Sequence, residues 1–285
     1  MSANGLRTWE EAVSWLVSQP DQQALVRDCY YDSPLEAAVE RYWNSKEWSA
    51  IRQLFPANRG AVLDIGAGRG ISSYALARDG WNVTALEPDP SAEVGAGAIR
   101  RLASSQNLPI TVIQEFGERI PCPSTSFDLV FARQALHHAK DLPMLCAEAA
   151  RLLKQGGTFV AVRDHVISKR KDLPRFFNAH PLHKLYGGEN AFLLYEYMDA
   201  MRRAGFEIER FIRPLENAVN LAPLDEVSLR AEVVERISRY PCGALLSRVL
   251  KASDSIYAGF LQLLMVFDSR PGRLYSFVCR KPSVR

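Results

Sequence analysis

The segment Val62-Leu63-Asp64-Ile65-Gly66-Ala67-Gly68-Arg69-Gly70 sets one carboxylate against three glycines, and glycines let a ligand touch backbone. Such loops, where a strand meets a helix, form the ligand-binding edge of open α/β sheets. A pyrophosphate-binding G-x-G-x-x-G pattern would place its third glycine at position 71, where this chain has Ile71. An aspartate directly before the loop also repels phosphate and suits a cationic or zwitterionic ligand. Glu87 lies about twenty residues further on, where an acidic side chain can accept hydrogen bonds from both hydroxyls of a ribose. Asp64, Gly66, Ala67, Gly68, Gly70 and Glu87 therefore describe a site for a nucleoside that lacks phosphate and carries an amino-acid-like tail. Taken singly, Asp64 could cap a turn and Glu87 could be a solvated strand end. Their joint position on successive strands favours the ligand.

A second group of residues can move protons: His137, His138, His165, Asp164, Tyr186 and Glu189. An imidazole or carboxylate within hydrogen-bond reach can take the proton of a reacting hydroxyl or ammonium. His137 and His138 are adjacent at a predicted helix start, so they point about 100° apart and one of them faces the pocket. His165 follows a strand on the ligand-binding edge and ranks slightly ahead of His137 as a base. The stretch Asn178-Ala179-His180-Pro181-Leu182-His183-Lys184-Leu185-Tyr186-Gly187-Gly188-Glu189-Asn190 reads as a cap over the cleft. With His165 and Glu189 it contains zinc-ligand types, but His180 and His183 enclose a proline and lack a helical frame. No metal is expected there.

The elements that must position these groups are short apolar runs at 61–65, 82–86, 110–114, 127–132 and 158–162, with helices such as 71–79 between them. Continuous apolar runs are strands buried on both faces, and their alternation with helices implies a mainly parallel, doubly wound sheet. Residues 7–55 form a helical preface, with Val13, Leu16 and Val17, then Val39, Tyr42 and Trp43, at helical spacing. A helix over 144–154 should stop at Gly156-Gly157. A connection of roughly forty residues comes next, longer than common αβ loops, and holds a cap and a helix over 193–203. A strand over 206–213 precedes a helical excursion, broken at Pro223 and at Tyr240-Pro241-Cys242-Gly243, before a last strand over 274–280. Leu245, Leu246, Val249 and Leu250 in that excursion read as core or as an oligomer contact. The chain thus divides into an extension, 1–56, and one domain, 57–285, with a cap near 164–192 and an insertion near 215–268.

Composition narrows the function. The chain has 285 residues, 47% hydrophobic and 24% charged, with 17 glycines and 16 prolines, which is ordinary for a soluble domain. Its formal charge of +3 is too small to point to nucleic acid. The basic runs Lys169-Arg170-Lys171 and Arg280-Lys281 with Arg285 read as solvated faces. Residues 255–267 are too short for the roughly 18–20 apolar residues of a membrane-spanning helix, and no apolar signal region opens the chain. Cys29, Cys122, Cys146, Cys242 and Cys279 are odd in number and contain no C-x-x-C, so reduced thiols in a cytoplasm are expected.

Asp64-Ile65-Gly66-Ala67-Gly68-Arg69-Gly70, Glu87-Pro88-Asp89, Phe127-Asp128-Leu129-Val130, Leu136-His137-His138 and Arg151-Leu152-Leu153-Lys154-Gln155-Gly156-Gly157 resemble, in order, the motifs of class I S-adenosylmethionine-dependent methyltransferases. The similarity covers roughly residues 57–213 and is nearest the small-molecule branch that includes the ubiquinone and menaquinone enzymes. S-adenosylmethionine is also the nucleoside with an amino-acid tail that the loop chemistry describes. The resemblance implies a Rossmann-like, seven-stranded sheet whose last strand, here 274–280, is antiparallel. It implies that Asp64 and the glycines flank the methionine portion and that Glu87 holds the ribose. The adenine amino group would meet Glu115, or Phe116 would stack on the ring while its backbone serves it. Arg133 falls where backbone carbonyls meet the methionine ammonium. The activity expected is methyl transfer to a small molecule, sugar or lipid intermediate, at oxygen because histidines are at hand. The alternatives are a non-catalytic S-adenosylmethionine-binding protein and, less favoured by Ile71, a nicotinamide-dependent dehydrogenase.

Overall fold

The apolar runs build the centre of the molecule in a computed structural model that describes residues 6–180, 182–241 and 243–283; Pro181, Cys242 and Arg285 lie outside them. Strands β1 (Ala61–Ile65), β2 (Asn82–Leu86), β3 (Ile110–Ile113), β4 (Phe127–Arg133) and β5 (Leu153–Ile167) are parallel neighbours in the order β3-β2-β1-β4-β5. Beyond β5, a two-residue strand β6 (Phe192–Leu193) adds a short parallel pair to β5, while β7 (Glu207–Ile212) and β8 (Arg273–Arg280) complete the sheet. The last strand lies between β5 and β7 and is antiparallel to both. The sheet is therefore the expected seven-strand path, with β6 as an added eighth strand.

Helices cover both faces. Of the preface, α1 (Trp9–Val17), α2 (Gln23–Asp28), α3 (Leu35–Trp43) and α4 (Lys46–Ile51), the last two lie with α5 (Ile71–Arg78) on one face. There Tyr42, Trp48 and Tyr74 share a core with Val62, Leu129, Phe131, Val160 and Val162, while α6 (Ala96–Ser105) contributes Ala98 and Leu102. On the other face α7 (Leu142–Leu152) and the helix at Leu194–Arg203 bury Leu145, Ala149, Tyr197 and Met201 against Leu63, Val130, Phe159 and Ala161. The alternation of inward positions along β1, β4 and β5 is what a strand buried on both sides requires.

One boundary differs from expectation. Helix α7 stops at Leu152, because Leu153 is already extended (φ −71°, ψ 140°) and pairs with Phe127 across the ladder. Gly156, with φ +71°, turns the chain only afterwards, and its N–H donates to Lys281 O at 2.9 Å.

The connection after β5 contains α8 (Leu173–Ala179) and the single turn α9 (His183–Tyr186), then β6 and α10 (Leu194–Arg203), the second cover of the α7 face. Leu182, Leu185 and Tyr186 pack on Val13, Leu16 and Val26, and the Trp9 and Tyr186 rings are 4.6 Å apart. Cap and preface thus meet as one layer. Between β7 and β8 run α11 (Ala218–Leu221), α12 (Glu226–Ser238), α13 (Gly243–Ala252) and α14 (Asp254–Phe267). Leu250 is buried with Val234 and Tyr257, but Leu245 and Leu246 are exposed, so only part of the expected apolar set enters the core. No single described helix is long and apolar enough to cross a membrane; α13 and α14 reach that length only together, bent by 119°.

The preface is tied to the sheet by charge as well as by packing. Glu47, 2% exposed, accepts from Arg133 Nε at 2.7 Å and lies 3.6 Å from Arg163 Nε. Burial works to raise its pKa, yet the two guanidiniums outweigh it and hold the carboxyl below its usual range. Removing one partner of such a group strands the others in low dielectric, at a cost of about 3–5 kcal/mol. Glu47→Ala should lower the free energy of unfolding by about that amount, seen as a lower denaturant midpoint at unchanged m-value.

Candidate active site

The glycine loop is shaped by backbone positions that a side chain would obstruct. Gly66 has φ +67°, and a Cβ there would lie 2.7 Å from Ala135 Cβ; Gly68 has φ +55° and would meet nothing within 4 Å. The first glycine lets the loop pass close to the chain after β4, and the second leaves open space where a ligand can rest against backbone. Gly66 N and Ala67 N both donate to Leu86 O, at 2.9 and 3.1 Å, which holds the loop to the end of β2. Gly70, also left-handed, opens α5. Arg69 reaches Tyr30 O and Asp32 O at 3.3 and 3.4 Å, so the preface bounds the loop on its outer side.

Asp64 is fully buried; its Oδ2 accepts from Ser72 Oγ and Ser73 Oγ at 2.7 and 2.6 Å. Its Oδ1 has no hydrogen-bond partner among the described residues. Burial pushes this carboxyl up to about 6, against the two serine hydroxyls and Arg133. Glu87 accepts from Gly68 N at 2.7 Å and Asp89 N at 2.9 Å, and burial pushes it up to about 7. Each oxygen keeps a lone pair for a further donor. A buried acceptor without a donor, an open glycine and a carboxylate beside it fit a ligand with an ammonium tail and ribose hydroxyls.

Of the remaining expected contacts, Pro88 is half-buried beside Glu87, and Glu115 is exposed just past β3. Phe116 presents its ring at 54% exposure, with Lys140 Nζ 4.6 Å from its centroid. The side chain of Arg133 is committed to Glu47 and lies over the Tyr42 ring, which leaves only its backbone for a ligand.

The histidines converge. His137 is buried, with Nδ1 3.0 Å from Asp164 Oδ1, which also accepts from His137 N at 3.1 Å. Its ring centroid is 4.6 Å from that of His165. His165 Nδ1 donates to Gly272 O at 2.9 Å. His138 is exposed and bonds Gly188 O at 3.1 Å, so of the adjacent pair only His137 points inward. Those two residues sit on a single 3₁₀ turn, Leu136–His138, ahead of α7. From the cap come Glu189, whose Oε2 is 3.7 Å from His137 Nε2, and His180, 3.6 Å from Glu189 Oε1. Tyr186 donates its hydroxyl to Glu189 Oε1, whereas His183 turns aside and stacks on Phe177 at 4.0 Å. Burial depresses His165 to about 4 and carries His137 well below the ordinary imidazole range, with the neighbouring imidazoles adding to it. Burial also pushes Asp164 up to about 8, against backbone N–H groups of residues 135–137.

The partnership of Asp164 with His137 was not legible from alternation. Val160 and Val162 face the preface side of the sheet, so period two would send Asp164 the same way. Between Ala161 and Asp164, however, three steps along β5 match two along β8, from Phe277 to Tyr275. Arg163 takes φ +63° at this bulge, and the extra residue inverts the facing of the strand beyond it. Asp164 and Val166 thereby join the α7 side, on which His137 lies. Glu47 was missed as well: one acid in an amphipathic helix carries no sign that two arginines will find it.

A cavity of about 520 Å³ lies elsewhere, among Leu221, Leu229, Val233, Phe260 and Leu264, and contains neither the glycine loop nor the histidines.

Residues 63–161 match the family model for a methyltransferase domain. Over 103 residues the chain is 39% identical to dimethylglycine N-methyltransferase of Parasynechococcus marenigrum, covering 35% of this chain and 36% of that one. Over 114 residues it is 33% identical to ubiquinone biosynthesis O-methyltransferase of Methylobacterium nodulans, covering 39% and 43% respectively. The matched region thus spans less than half the length of these relatives. In fold, the chain is similar to phosphoethanolamine N-methyltransferase 2 of Haemonchus contortus, solved with phosphomonomethylethanolamine and S-adenosylhomocysteine, with a TM-score of 0.59 at 19% identity over 95% of this chain and 61% of that one. The ordered motifs, the doubly wound sheet and the matched segment agree on a class I methyltransferase domain over residues 63–161.

Proposed function

We propose that this protein transfers the methyl group of S-adenosylmethionine to a hydroxyl of a small-molecule, sugar or lipid-intermediate acceptor. The observation that carries this reading is the buried His137–Asp164 pair beside His165, on the same strand edge that carries Asp64 and Glu87. The donor supplies a methyl already activated on a sulfonium. The chain's own residues then have two tasks, to hold the partners in line and to take one proton. Asp64 and the loop glycines receive the amino-acid tail together with the backbone at Arg133, Glu87 with Pro88 receives the ribose, and Glu115 and Phe116 flank the adenine. His165, whose Nδ1 is engaged by Gly272 O, keeps Nε2 free as proton acceptor; His137, oriented by Asp164, is the second. His138 orders the cap through Gly188 O. Relatives named for nitrogen and for oxygen both occur; a base is needed for a hydroxyl, and a neutral amine requires none.

The preface, the cap near 164–192 and the insertion near 215–268 are the parts that select the acceptor. The exposed Leu245, Leu263 and Phe267 of that insertion are where a second copy would pack, in a cytoplasmic enzyme without a nucleic-acid partner.

Calorimetry with S-adenosylhomocysteine should give one site per chain, and Asp64→Ala and Glu87→Ala should each weaken it about 10–100-fold, the worth of a hydrogen bond to a charged group. Binding of a nicotinamide cofactor alone would sink the reading. Because burial pushes Glu87 up to about 7, its proton must leave before the carboxylate can accept ribose hydroxyls. Affinity should therefore rise by up to about tenfold per pH unit between pH 5.5 and 7 and level off above, with Glu87→Gln flattening the profile. With labelled donor and a panel of acceptors, His165→Ala should slow transfer about 10²-fold or more while leaving homocysteine-analogue binding intact. Binding without transfer to any acceptor would favour a non-catalytic role.

A further inference from the structure

His137, His165 and Glu189 are more than a set of proton carriers. Each offers one ligand atom, and these atoms lie within 4.8 Å of one another. We propose that they form a site for one divalent transition-metal ion of the zinc class. Around a tetrahedral zinc with bonds of about 2.0–2.1 Å, ligand atoms stand about 3.4 Å apart. His137 Nε2 and Glu189 Oε2, at 3.7 Å, are already near that spacing, and small side-chain rotations bring the third atom in.

The outer partners suit ligation. In metal sites the second ring nitrogen of a histidine is bound by a carboxylate or a backbone carbonyl, which fixes the tautomer. Here His137 Nδ1 faces Asp164 Oδ1 and His165 Nδ1 faces Gly272 O, so both rings present Nε2 as an unprotonated lone pair. Glu189 Oε2 is buried with no hydrogen-bond partner among the described residues, although Oε1 of the same carboxylate takes the Tyr186 hydroxyl. A buried carboxylate oxygen without a donor is costly, and a cation supplies what it lacks. Two imidazoles and a carboxylate with an open fourth position match catalytic zinc sites. They do not match calcium or magnesium, which prefer oxygen sets. His180, beside Glu189 Oε1 and with its own Nδ1 unpartnered, or an acceptor oxygen can fill the fourth position.

The ligands come from the turn after β4, from β5 and from the cap, so the ion would join three separate segments. With an ion bound, His137 and His165 would be ligands rather than bases, and the ion would acidify an acceptor hydroxyl in the open position, whose proton would pass to solvent. That use rests on the methyl-transfer reading; the binding itself does not.

The test is calorimetry with zinc chloride on full-length protein stripped with a chelator, together with metal analysis and the cobalt(II) absorption spectrum. One zinc per chain at micromolar or tighter affinity, visible cobalt bands of tetrahedral intensity and a raised unfolding temperature are expected. Glu189→Gln and, separately, His165→Asn should weaken zinc by more than the roughly 10–100-fold that loss of an outer-shell partner costs. Circular dichroism and S-adenosylhomocysteine titration check that the variants fold. No zinc binding and no cobalt bands in the wild type, or equal affinity in wild type and folded variants, would overturn the site. Zinc binding without homocysteine-analogue binding would sink the methyl-transfer reading and leave the metal site standing, and the reverse result would do the opposite.

Discussion

Glu47 between Arg133 and Arg163 is the interaction on which the arrangement of the site depends. Two guanidiniums on adjacent central strands, one at the end of β4 and one at the bulge of β5, bring positive charge into a sheet interior, a position that needs an opposing charge. Helix α4 supplies it, at 2.7 and 3.6 Å. The same helix inserts Trp48 between Tyr42, Phe55 and Phe131, so charge pairing and aromatic packing fix the preface in one position. Once it is there, the chain near Tyr30 and Asp32 meets Arg69 and the glycine loop acquires an outer wall. A helical extension thereby becomes part of the proposed binding cleft.

The bulge in β5 does complementary work. Arg163 sends its side chain to Val219 O and Ala222 O as well as toward Glu47, and its left-handed backbone shifts the residues beyond it to the opposite face. One inserted residue therefore serves two functions. It keeps an arginine on the preface side and delivers Asp164 to His137 on the other. β-Bulges commonly re-aim side chains next to functional sites, and here the re-aimed Asp164 orients the His137 imidazole, whose Nε2 lies 3.7 Å from Glu189 Oε2 of the cap.

Charge is distributed unevenly between the two halves of the site. Asp64 and Glu87, on the proposed nucleoside side, are buried carboxyls raised by desolvation and suited to a ligand that brings donors. On the proposed acceptor side, imidazoles crowd around Glu189, and burial holds His137 and His165 below the ordinary imidazole range. The strand edge thus separates a region that welcomes an ammonium and hydroxyl donors from one rich in lone pairs.

The amino-acid sequence by itself determined the strand framework and brought together the residues of the proposed nucleoside half. Apolar runs at 61–65 and 82–86 coincide with β1 and β2, because strands buried on both faces tolerate few polar residues. Asp64, the glycines and Glu87 were legible since a strand–loop–helix unit and the next strand position them within about twenty-five consecutive residues. Tertiary structure alone decided the rest. His137 and Asp164 are 27 residues apart, and Glu47 and Arg133 are 86 apart; whether such pairs meet depends on strand order, on a one-residue bulge and on how helices lie across the sheet. The end of α7 was likewise set by the ladder partner of Leu153 rather than by the glycines beyond it. Local spacing carries information only across a turn or a strand, and the chemistry of the acceptor side is assembled from segments that no local rule connects.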